Sequence, residues 1–255
     1  MTDAPFLHAK VRVGRAKELL DTLKTEGLAF WESHPYLMLV EADPNGTTKT
    51  YKCRLAQQVP PVFDFWVIEA VDHLRTSLDY LGYAIARLAG KREPKACYFP
   101  IADTAAKLKT GVIGRGRCKD LPPDIVTFFE ALEPYQGGKA GAVWVLNKLC
   151  NSGKHRFLTS VGLQSAYNEI DITKLPLGSV IHPHHWDSSK NEISYFSTPL
   201  DMEPQYKFEI AFFIAFSNVE PLTGAPVFPH LFAIADEVAR VINETEIEVR
   251  RLGLI

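Results

Sequence analysis

Val62 to Leu88, VFDFWVIEAVDHLRTSLDYLGYAIARL, is the stretch whose reading decides the fold. Phe63, Trp66, Val67, Ala70, Leu74, Leu78, Leu81, Ile85 and Leu88 step by three and four, the spacing that lines one face of an α-helix. Pro60-Pro61 marks the start and Gly90 the stop. A long helix that is apolar on one side needs other elements to cover that side, so the rest of the chain is read for what could do so.

Upstream, Phe6 to Trp31 carries Leu7, Val11, Leu19, Leu20 and Leu23 among Lys and Glu, which predicts an amphipathic helix ended by His34-Pro35. YLMLVEA and TTKTYKCRLA then flank Asp43-Pro44-Asn45-Gly46, a hairpin pattern. Downstream, helices are expected from Pro122-Pro123 through Leu132 and from Ala140 to Asn151, the second closed by Ser152-Gly153. Beyond Phe157 the pattern turns to strands. Ser179–His185 and Ile193–Ser197 flank the turn composition DSSKNE, and Tyr206 to Phe216 alternates in apolarity. A last helix runs from about Pro229 to Ile247. The expectation is one α+β domain over residues 1–255. Its helical, bundle-like core lies at about 61–157. It packs with an antiparallel sheet drawn from about 36–58 and 179–217, and with a C-terminal helix at about 229–247.

With 46% hydrophobic and 23% charged residues the chain is a globular one, and a net charge of −2 argues against a protein that grips duplex DNA through its phosphates. The cysteines Cys53, Cys97, Cys118 and Cys150 form no CxxC pair, so neither a zinc ribbon nor a redox motif is expected, and reduced thiols are. The start, MTDAPFLHAKVRVGR, has no signal-peptide pattern, and the longest apolar run, Ala211–Phe216, is far short of a membrane span. A cytoplasmic location, no membrane and no cofactor are the expectations. Nucleophile-elbow, zinc-protease and kinase patterns are absent from the sequence.

Two polar clusters interrupt the apolar helices. Asp72, Arg75 and Asp79 are spaced by three and four and so share a stripe, which continues into the small residues Gly82 and Ala86; His73, Tyr80, Tyr83 and Arg87 run beside it. One reading is a solvated face held by weak ion pairs. The other is a partly buried groove, approached closely by another helix over Gly82 and Ala86, in which Arg75 between two carboxylates holds a phosphate or a partner loop. The second cluster is Asn147, Asn151, Ser152, Lys154, His155 and Arg156. It supplies an imidazole for acid–base work beside two cations for an anion, or else a set of cations capping a helix C-terminus.

Two weaker patterns remain. Lys107 to Lys119 places Lys107, Lys109, Arg115, Arg117 and Lys119 around Gly111, Gly114 and Gly116, which reads as a mobile surface loop or as a phosphate clamp. His182, His184 and His185 form the one histidine cluster. Pro183 suggests an edge or turn there, and no metal site is expected.

The pieces DHLRTSLDYLGYAIA, YFPI, ALEPYQGG and VLNKLCNSGKHRFL together resemble an uncharacterised family of bacterial proteins with an Arg-x-x-Leu-Asp-His helix and an Asn-x-Asp-Lys-His-Arg segment. The first motif is similar to the Arg-x4-His signature of HEPN domains, helical modules that include many metal-independent ribonucleases. In those, the Arg steadies charge on the scissile phosphate and the His assists attack by the 2′-hydroxyl. This chain has Tyr80 where the family has histidine, and Gly153 where it has aspartate. The resemblance, over residues 68–160, implies a protein that binds single-stranded RNA or a nucleotide, with metal-independent cleavage as its catalytic form. His155, Arg75 and Asp79 would then be the catalytic set and Lys154, Arg156, Arg115 and Arg117 would hold phosphate, supported by Asp72, Tyr80, Asn147 and Asn151. A homodimer is the assembly considered. The alternative is a non-catalytic module that binds a protein or a small ligand.

Overall fold

The computed structural model describes residues 4–153, 162–168, 175–182, 186–187, 189–204, 209–216 and 220–255. In chain order they form α1 (Leu7–Glu32), β1 (Tyr36–Ala42), β2 (Thr48–Leu55), α2 (Val62–Leu88), α3 (Ala105–Lys107), a π-helical turn (Leu108–Ile113), α4 (Pro123–Ala131) and α5 (Gly141–Gly153). There follow β3 (Gly162–Asn168), β4 (Val180–Ile181), β5 (Trp186–Asp187), β6 (Glu192–Pro199), β7 (Glu209–Ala215) and α6 (Val227–Arg251). This is the α+β fold that the sequence predicts.

Helix α2 matches its predicted bounds because both of its ends are chemically marked. Pro61 precedes it and Asp64 sits in its first turn, where a carboxylate faces the positive end of the helix dipole. At the other end Gly90 takes φ +85°, its N–H bonds Arg87 O, and Lys91 N–H bonds Ala86 O. These are the paired bonds of a Schellman stop, which needs the left-handed backbone that glycine adopts freely. Leu74, Leu78, Leu81 and Ile85 are fully buried, each worth roughly 1.5–3 kcal/mol of apolar transfer.

Helix α1 runs antiparallel to α2, so that His8 stacks on Tyr80 at one end and Phe30 meets Phe63 at the other. Its core side is Ala9, Val13, Ala16, Leu19, Leu20 and Leu23. Leu7 and Val11, expected among the buried residues, are instead exposed. The small residues Ala9 and Ala16 are buried there, and Val11 faces outward. Helix α6 packs on α1, α2 and α5 and is longer than its apolar pattern suggests. Arg240 with Glu237 and Glu244, Arg250 with Glu246, and Arg251 with Glu248 brace its polar side at helical spacing.

The strands divide. A five-stranded antiparallel sheet has the order β1-β2-β6-β4, with β5 also paired to β6; β3 and β7 form a separate antiparallel pair. The sheet gathers its own small cluster, Tyr51, Cys53, Ile193, Tyr195 and Phe196. Ile214 and Phe216, on and just after β7, belong to the helical core. The expected strand at Ser179–His185 forms only Val180–Ile181 before residues 183–185, which lie outside the described set. Among the described residues no helix is long and apolar enough to cross a membrane.

Candidate functional site

Antiparallel packing of α1 on α2 brings together polar residues that lie far apart in the chain. On α1, His8, Arg12 and Arg15 recur at i, i+4 and i+7; on α2, His73 and Tyr80 are i and i+7, so each set shares a face. With Val11, Gly14 and Glu18 they line a cleft of about 570 Å³.

Arg12 organises it. Its Nη1 lies 3.1 Å from His73 Nδ1, and its Cζ is 5.3 Å from the centre of the Tyr80 ring. A guanidinium can only donate, so Nδ1 accepts, and His73 is held as the neutral ring with its proton on Nε2. Burial pushes the His73 pKa below its ordinary value, and the Arg12 and Arg15 charges add to this against Asp72 and Glu69. Arg15 pairs with Glu18 at 3.0 Å, whereas among the described residues no carboxylate pairs with Arg12. Two guanidiniums against one carboxylate leave the lining of the cleft with one positive charge in excess. Chemically the cleft offers an unanswered cation, an N–H donor at His73 Nε2, an exposed imidazole at His8, and the Tyr80 ring.

The stripe singled out from the sequence lies on the other side of the buried face of α2. Arg75 is paired with Asp79 at 2.8 Å and its side chain is 18% exposed; Asp72 is exposed and takes no part in that pair. The expected groove over Gly82 is closed, and not by a helix. A Cβ on Gly82 would stand 1.8 Å from the carbonyl oxygen of Cys97, so the irregular segment through Phe99 fills the space. The neighbouring thiols are held protonated. Burial, with Asp120 and Asp79 adding to it, raises Cys97, and burial pushes Cys118 up to about 11. None of Asp72, Arg75 and Asp79 lines the cleft. Tyr80, named only as a supporting residue, does.

The remaining candidates are scattered. Asn147 is half-buried and Asn151 exposed on α5, while Lys154, His155 and Arg156 lie outside the described residues. The stretch expected as a mobile loop from Lys107 is largely ordered turns, α3 and the π-helical turn, because Thr104 caps α3 and Leu108 is buried. Arg115 is exposed, and Arg117 lies 5.9 Å over the Tyr98 ring. Asp103, not predicted, accepts from Trp144 Nε1 at 3.0 Å and is paired with Lys148 and Lys107, which holds its carboxyl well below the usual range. It ties the segment before α3 to α5. Nε2 of His182 is 2.7 Å from Ser197 Oγ; His184 and His185 lie outside the described residues.

His8, Arg12 and Arg15 were therefore the residues that sequence reasoning passed over. Their signal was present as a helical i, i+4, i+7 repeat, but on an amphipathic helix such a repeat reads as the solvated side until its partner helix is known. Comparison with protein-family models, with curated proteins and with solved structures finds no match to this chain.

Proposed function

We propose that this chain is a HEPN-like protein of the cytoplasm that binds single-stranded RNA or a nucleotide in the cleft between α1 and α2. The observation that carries this reading is Arg12, a guanidinium with no carboxylate partner among the described residues, fixed over Tyr80 and against His73 Nδ1. A phosphate oxygen is the counter-charge for which a guanidinium is best shaped. The HEPN resemblance bears on the cleft through Tyr80 alone, which stands at that family's histidine position and carries the His8 ring at 5.7 Å, while Arg75, at its arginine position, is not among the lining residues.

Metal-independent cleavage is the catalytic form of the reading. The exposed His8 takes the proton of a 2′-hydroxyl as it attacks phosphorus, Arg12 steadies the charge while His73 Nε2–H donates a hydrogen bond to a phosphate oxygen, and the 5′-oxygen leaves with a proton from solvent, giving a 2′,3′-cyclic phosphate. His155, the acid–base group expected from the sequence, lies outside the described residues and is tested beside them. The test is a single-stranded RNA panel in EDTA with wild type, Arg12→Ala, His8→Ala and His155→Ala, scored for binding and for cleavage. Arg12→Ala is expected to lose binding, and His8→Ala to lose about 10²-fold or more in cleavage. RNA bound intact by wild type assigns a binding module without catalysis. RNA neither bound nor cut ends the reading.

A further inference from the structure

The cleft contains a glycine that the fold does not require. Gly14 lies inside α1, exposed to solvent, and a Cβ built on it meets no atom of the described chain within 4 Å. Gly27 in the same helix is different, since a Cβ there would press on Ile214 Cδ1 at 3.2 Å. Glycine in an exposed helix interior is unfavourable relative to alanine. Something other than packing within the chain accounts for Gly14.

Its surroundings name a role. Val11, one turn earlier, is 59% exposed and lines the same cleft, so Val11 and Gly14 make an apolar shelf along the α1 wall of that cleft. Tyr80 is the other flat surface, but it already carries the His8 ring at 5.7 Å and the Arg12 guanidinium at 5.3 Å. A ligand ring therefore has the shelf to lie on. We propose that the ligand is a phosphate ester bearing a planar ring, a nucleotide unit, with its phosphate on Arg12 and its ring across Val11 and Gly14. The missing Cβ of Gly14 is what admits the ring. This rests on the function proposed above and adds to it the residue that sets ligand class.

Calorimetric titration of the whole chain with inorganic phosphate, the four nucleoside 5′-monophosphates and a single-stranded RNA hexamer tests it. Wild type is expected to bind nucleotides more tightly than phosphate, and a tighter hexamer assigns RNA over free nucleotide as the source of the unit. Gly14→Leu, which keeps a strong helix former while covering the shelf, is expected to weaken nucleotide binding by about tenfold or more. It should leave phosphate binding within about twofold. Gly14→Ala should raise Tm by roughly 2–4 °C. Nucleotide binding unchanged in Gly14→Leu but lost in Arg12→Ala overturns the shelf and leaves the cleft standing; a lowered Tm in Gly14→Ala also overturns it. Wild type that binds neither phosphate nor nucleotide, or nucleotide binding indifferent to Arg12→Ala, overturns the cleft itself.

Discussion

Helix α2 has a polar stripe on either side of its buried face, and each stripe involves an arginine that is answered differently. On one side Arg75 is neutralised by Asp79 four residues on, and the small residue beyond it, Gly82, is covered by the backbone of Cys97. On the other side Arg12 reaches across from α1 to His73 and Tyr80, and no carboxylate of the described residues meets it. Each arrangement gives a half-buried guanidinium one side-chain acceptor, His73 Nδ1 for Arg12 and Asp79 Oδ1 for Arg75. Only the second leaves its charge for something outside the chain.

The contrast can be broken most violently at the closed stripe. Gly82→Ala places a methyl 1.8 Å from the Cys97 carbonyl oxygen, and backbone cannot swing aside as a side-chain end can. The expected cost is about 3 kcal/mol or more, seen as a lowered urea midpoint. An unchanged midpoint would mean that the segment before Phe99 does not press on α2.

A smaller effect should appear in the pH dependence of stability. The unfolded chain protonates His73 near the ordinary value of 6.5, and the folded chain only at a lower pH. Between the two, unfolding takes up a proton, so the contribution to stability is complete above about 6.5 and is lost as pH falls toward the folded value. Urea unfolding of wild type and His73→Gln from pH 7.5 down to 5 should show the wild-type decline and a flatter variant. Identical slopes would place His73 in water and not against Arg12.

The smallest effect belongs to the Arg75–Asp79 pair. An i, i+4 pair whose carboxylate is 44% exposed contributes about 0.3–0.5 kcal/mol. Arg75→Ala should therefore shift the urea midpoint only slightly. A large loss would show that Arg75 holds more of the structure than its one ion pair.

How far the sequence could be read follows from where the decisive partners lie. The ends of α2 were legible because proline, the first-turn carboxylate and Gly90 act within a few residues. The β1–β2 hairpin was legible for the same reason, with Asp43 accepting from Thr48 and Thr50 across its turn. Gly82 announced a close approach but could not say that an irregular segment would make it. Val11 reads as core by its spacing, whereas Ala9, Val13 and Ala16 are the residues that α1 buries there. The cleft was the least legible part, since Arg12 and His73 are 61 residues apart and meet only through the antiparallel register of two helices. Strand β3 escaped because nothing in GLQSAYN alternates in apolarity; its register is supplied by β7.

The most direct measurement compares the two arginines. Binding of a fluorescent single-stranded RNA, or of a nucleoside monophosphate, is titrated on wild type, Arg12→Ala and Arg75→Ala at one fixed ionic strength, with melts confirming that each is folded. The unanswered charge of Arg12 predicts that Arg12→Ala weakens binding by about tenfold or more, while Arg75→Ala stays within about twofold of wild type. Binding lost in Arg75→Ala and kept in Arg12→Ala would contradict the account and return the site to the stripe that Asp79 and Cys97 were held to close.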